Sequence, residues 1–107
     1  MGLDEQTFDA LATALFRRLI DAFDEVDPDA VDAETNGESV TVTAANGEKV
    51  VVSTQRATRQ IWVAGRGEGV HFSYEAGRWL DDRGTGRELL GFIAACVREA
   101  SGVTVRL

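Results

Sequence analysis

The stretch that decides the fold is residues 39–55, SVTVTAANGEKVVVSTQ. Ser39–Ala44 alternates valine with threonine, and Glu48–Gln55 carries Val50 and Val52 two apart, the period-two pattern of half-buried strands. Asn46-Gly47 between them is a hairpin signal. Working outward, Val31–Thr35 also alternates and runs into Asn36-Gly37, the dipeptide that a two-residue type I′ hairpin prefers. On the other side Arg59–Ala64, Gly69–Glu75 and Arg78–Asp81 read as short strands, separated by Gly65-Arg66-Gly67 and Ala76-Gly77. Five or six strands joined by tight turns predict a meandering antiparallel sheet.

Helical patterns flank the strands. Phe8, Leu11, Ala12, Leu15, Leu19, Ile20 and Phe23 recur at three- and four-residue steps, one apolar stripe on an amphipathic helix. Asp4 and Glu5 suit the positive end of its dipole, and Pro28, the only proline, should end it near Val26. A second helix is expected from Thr85, where Thr85 and Glu88 have capping-box spacing. Leu89, Leu90, Phe92, Ile93, Cys96, Val97 and Ala100 form its apolar side, and Gly102 stops it. The order helix–sheet–helix predicts one α+β domain over residues 1–107. Its architecture is a two-layer sandwich, an antiparallel sheet of five to six strands with the N- and C-terminal helices packed on one face. The other face then meets water. If Val50, Val52, Ile61, Val63, Val70 and Phe72 point inward, Gln55, Gln60, Trp62 and His71 point out.

The charge is unevenly placed. The chain of 107 residues has 18 acidic and 11 basic residues, a net −7. Residues 1–34 hold ten acids and two bases, so the remainder is nearly balanced. That excludes nucleic acid and anionic membranes as expected partners, since both need a basic surface. A single cysteine gives neither an internal disulfide nor a multi-thiolate metal site. No apolar run is long enough for a membrane span, and the acidic N-terminal segment resembles neither a signal nor a transit peptide. A cytoplasmic location is the expectation.

The functional signal is the acidic run Asp21, Asp24, Glu25, Asp27, Asp29, Asp32 and Glu34. Asp21, Asp24 and Glu25 share a helix face at i, i+3 and i+4, while Asp32 and Glu34 share a strand face. Were that strand an edge beside the helix, the two sets would form one acidic ridge. Its self-repulsion would be relieved by a cation or a basic partner, and carboxylate ligands alone favour hard cations with modest affinity. The plainer reading is a solvated helix end kept charged for solubility. Trp62, if exposed, is an interface anchor, and if buried, a core residue. His71, the only histidine, reads as a surface residue and Cys96 as inert core. No nucleophile elbow, phosphate-cradling loop, Cys-x-x-Cys or histidine pair is present, so no enzyme chemistry is indicated.

With its acidic helix end, Gln60-Ile61-Trp62-Val63, Gly69-Val70-His71-Phe72 and Trp79-x-x-Asp82-Arg83, the sequence resembles the frataxin/CyaY family over essentially the whole chain. The short bacterial form fits best. The resemblance implies a regulator and iron donor of iron–sulfur cluster assembly that binds Fe²⁺ or Fe³⁺ weakly, with other divalent cations as alternatives. It also implies a bacterial cytoplasmic monomer, oligomerising with iron, that docks on the cysteine desulfurase and the scaffold protein. By position, Asp21, Asp24, Glu25, Asp27, Asp29, Asp32 and Glu34 correspond to the family's ridge, and Gln55, Gln60 and Trp62 to its sheet face. Arg17 and Arg18 stand within reach of Asp21, and Ser53 and Ala57 replace an asparagine and a proline common in the family. Two alternatives differ in class: a ferroxidase or iron-storage protein, and an acidic adaptor that does not use iron.

Overall fold

The computed structural model describes residues 3–107. Helix α1 (Glu5–Asp24) is followed by six strands, β1 (Val31–Thr35), β2 (Ser39–Ala44), β3 (Lys49–Gln55), β4 (Gln60–Gly65), β5 (Glu68–Glu75) and β6 (Arg78–Asp81), and then by α2 (Leu89–Ser101). The strands pair antiparallel in sequence order, which makes β1 and β6 the edges.

Strand alternation sets the faces as expected. Val40, Val42, Val50, Val52, Ile61, Val63, Val70 and Phe72 are buried beneath Phe8, Leu15, Phe16, Leu19 and Phe23 of α1 and Leu89, Phe92, Ile93 and Val97 of α2. Burying each large apolar side chain is worth about 1.5–3 kcal/mol, so this layer dominates the stability. The Asp4 carboxylate accepts the Thr7 N–H at 2.6 Å as N-cap of α1, and that bond holds its pKa below the usual carboxyl value. At the other terminus Gly102 adopts φ 76° and donates its N–H to the Arg98 carbonyl, ending α2. Val105 of the tail is buried, and Arg18 Nη2 donates to the Leu107 carbonyl at 2.9 Å.

Two local expectations are corrected. The Asn36-Gly37 hairpin is not a two-residue type I′ turn, because only Gly37 has positive φ (90°). Asn36 Oδ1 instead accepts the N–H groups of Glu38 and Ser39, at 2.9 Å each, which favours a longer loop. The two-residue turns with both central residues at positive φ are Arg66-Gly67 (57° and 73°) and Ala76-Gly77 (52° and 80°). Helix α2 begins at Leu89, four residues after Thr85, and Glu88 makes no side-chain cap. Thr85 is held elsewhere: its N–H and hydroxyl both donate to the Asp81 carboxylate.

Candidate functional site

The seven acids lie along one rim of the molecule. Asp21 and Asp24 end α1, Glu25 is its C-cap, and no basic residue stands in the last turn. The chain then turns on Asp27, whose carbonyl accepts from Ala30 (2.9 Å) and Val31 (3.1 Å) and whose Oδ1 accepts from the Asp29 N–H at 2.9 Å. That turn delivers the chain into edge strand β1. Val31 is buried there, so by alternation Asp32 and Glu34 emerge on the face opposite the helices. The acids therefore wrap the β1 edge, from the helix layer round to the open sheet face.

All seven are exposed, and among the described residues none takes part in an ion pair. Six of the eleven other acids contrast with them: Asp9 and Glu38 pair with Arg56, Glu99 with Arg66, Glu88 with Arg78, Glu68 with Arg83 and Arg87, and Asp81 with Arg87. The Arg56 bonds also hold the Glu38 carboxyl below its usual pKa. Neither Arg17 nor Arg18 pairs with Asp21, and Arg18 is turned instead to the Leu107 carbonyl. The acids do not close into a cage. Among the described residues no three carboxylate, imidazole or thiol groups converge on one point. The oxygens suit a hard cation, which would be held by few of them and keep most of its water.

Sequence-singled residues Gln55, Gln60 and Trp62 stand together on the open face. Trp62 is half-buried, opposite Ser53 on β3 and His71 on β5. Gln55 pairs with Gln60. Gln60 is committed to local bonds, donating to Ser73 Oγ at 2.9 Å and accepting from Thr58 Oγ1 at 3.0 Å. A continuous cross-strand row, Glu34–Thr41–Val51–Ala64–Gly69, joins the acidic edge to the floor under Trp62. With strands about 4.8 Å apart, its ends are roughly 20 Å from each other.

Cys96 is buried, and burial pushes its thiol up to about 11, as an inert core thiol requires. Asp81 was not singled out in the sequence and is the buried acid of the fold. The Thr85 hydroxyl, then Arg87 Nε at 3.0 Å, hold its carboxyl below the usual range. Alternation in β6 could have found it, since Trp79 and Asp81 share the core face.

A family model for the frataxin-like domain matches residues 1–103. The chain is 37% identical over 105 residues to the iron-sulfur cluster assembly protein CyaY of Tolumonas auensis, covering 98% of this chain and 99% of that one. To the protein of the same name from Psychromonas ingrahamii it is 32% identical, covering 96% of each. The solved structure of frataxin from Psychromonas ingrahamii superposes with a TM-score of 0.87 at 31% identity over 96% of both chains. Trimeric yeast frataxin complexed with ferrous iron gives 0.69 at 24% identity, covering 96% of this chain and 90% of that one, a likeness of fold.

Proposed function

The chain belongs to the frataxin-like family, whose near relatives are iron–sulfur cluster assembly proteins, and from that premise we propose that it serves the same assembly process by docking. The docking target is the cysteine desulfurase–scaffold complex. The observation that carries this is the contrast in pairing. Six of the eleven other acids are matched to arginines, while Asp21, Asp24, Glu25, Asp27, Asp29, Asp32 and Glu34 are all exposed and unmatched along one rim. Unmatched charge of one sign attracts a basic surface and steers it in over long range. Trp62, with Gln55 and Gln60 beside it, supplies the contact that charge alone cannot, a broad rigid ring on a face that mixes polar side chains with Val51 and Ala64. Iron is cargo on the same carboxylates: hard oxygen donors without a cage bind it weakly and release it readily.

The absence of a converging triad among the described residues favours a second reading, an adaptor whose rim ligand is protein and not iron. The same observation weighs against a ferroxidase centre, which needs carboxylates on facing helices. Binding to the purified desulfurase–scaffold complex tests the docking. It should weaken steeply between 0.05 and 0.5 M salt, a range over which the screening length falls to a few ångströms (about 3 Å at 1 M). It should be lost in D21K/D24K/E25K. Unchanged binding by that variant refutes the reading. An anaerobic Fe²⁺ titration followed by backbone NMR separates the two readings: shifts confined to residues 21–34 support iron as cargo, and no shift at millimolar metal supports the adaptor.

A further inference from the structure

We propose that Gly69 is a positioning residue that seats Trp62: with no side chain of its own it leaves room for the Nε1–Cζ2 edge of the indole, fixing the ring on the open sheet face where an arginine of the docking partner meets it. This rests on the reading of Trp62 as a docking residue. Trp62 and Gly69 are diagonal neighbours across β4 and β5, Trp62 pairing with His71 and Gly69 with Ala64. A Cβ placed on Gly69 would lie 2.9 Å from both Cζ2 and Nε1 of the indole and 3.1 Å from Cε2. The ring thus occupies the volume that any other residue would fill with its own side chain. Glycine is not required there by the backbone: Gly37, Gly47, Gly67 and Gly77 have positive φ and open space around them, whereas Gly69 has neither. What position 69 needs is the absence of a side chain.

The floor of the seat is fixed. Arg83 Nη2 donates to the Gly69 carbonyl at 3.1 Å, and Arg83 Nη1 reaches the neighbouring Glu68 carboxylate at 3.3 Å. Glu68 also holds Arg87 at 3.2 Å, and Arg87 is anchored on buried Asp81. The backbone under the ring is therefore tied into the core and cannot drop away to admit a larger residue. An indole whose edge is fixed against such a backbone keeps its exposed part in one place, and an indole is the preferred aromatic partner of a guanidinium. The acidic β1 edge, three strands from Trp62, attracts the same kind of basic surface, so rim and ring select one partner chemistry.

The test uses the whole chain in three forms: wild type, Trp62→Ala and Gly69→Ala. In wild-type NMR spectra the Trp62 indole N–H should show an NOE to the Gly69 Hα protons, since that N–H edge lies against the glycine; its absence overturns the seat without any variant. Because the strand backbone accepts alanine, Gly69→Ala should keep the fold and move the Trp62 indole N–H resonance, leaving that of buried Trp79 in place as an internal control. Affinity for the desulfurase–scaffold complex should fall by about ten- to thirty-fold in Trp62→Ala, as for an aromatic anchor, and comparably in Gly69→Ala. Wild-type affinity in Trp62→Ala overturns the docking reading itself. Loss in Trp62→Ala with wild-type affinity in Gly69→Ala overturns the seat alone and leaves that reading standing.

Discussion

Asp21, Asp24 and Glu25 stand at the negative end of the α1 dipole, with no basic residue in the last turn and no ion-pair partner among the described residues. Each negative charge there opposes the unpaired carbonyls and costs about 0.3–1 kcal/mol at low ionic strength. Asp21 with Asp24 and Asp21 with Glu25 add like-charge pairs at i, i+3 and i, i+4, about 0.2–0.5 kcal/mol each. Allowing for full exposure, replacing all three by their amides (D21N/D24N/E25Q) should stabilise the protein by about 1–2 kcal/mol in low salt. At about 4–8 °C per kcal/mol for a domain near this size, Tm should rise on the order of 5–10 °C. Calorimetric melts at 10 mM and 500 mM NaCl measure it. Screening should shrink the gain at the higher salt. Glu5→Gln, at the other end of the same helix, should change Tm in the opposite direction. A triple variant that melts at or below the wild-type temperature in low salt refutes the reasoning. So does a gain that salt leaves untouched, because the cost would then not be charge.

Two further outcomes probe the packing and the buried acid. Gly65→Ala would place a Cβ 2.9 Å from Cys96 Sγ and 3.3 Å from Cys96 Cβ in the core, overpacking that costs about 1–3 kcal/mol in urea unfolding. Adding Cys96→Ala should recover part of that loss, and strictly additive effects in the double variant refute the contact. Asp81 has its carboxyl pKa lowered in the folded protein, so its stabilisation is present above the ordinary value of 3.8 and is lost as pH falls through the lowered one. Asp81→Asn should therefore be less stable at neutral pH and lose less stability than wild type between pH 4 and 2; parallel curves in equilibrium unfolding count against it.

Asp81 illustrates where local reading stops. The parity of β4 and β5 placed Ile61 and Phe72 inside and Trp62 and His71 outside because alternation is fixed by neighbouring peptide units. The apolar stripe of α1 was legible for the same reason, its period being a property of the helix itself. Thr85 and Glu88 matched a capping box, yet the Asp81 carboxylate on β6 took Thr85 first and the helix started at Leu89. A local hydrogen-bond motif loses when a buried charge needs the same donor, and the burial of Asp81 is carried by the alternation of β6, not by the capping motif itself. Asn36-Gly37 likewise matched a type I′ turn, and the Asn36 side chain closed a longer loop instead.

The sequence by itself determined the order of elements, their inward faces and the concentration of acid in residues 1–34, since periodicity and charge are local quantities. Only the tertiary structure decided that β1 is an edge, that the acids there turn onto the open face, and that they lack the arginines which pair with six of the other acids. It alone showed that the bare backbone of Gly69 lies against the indole edge of Trp62. Pairing, convergence and seating depend on which strands become neighbours, and that is settled by the burial of the whole sheet beneath two helices, not by any one segment.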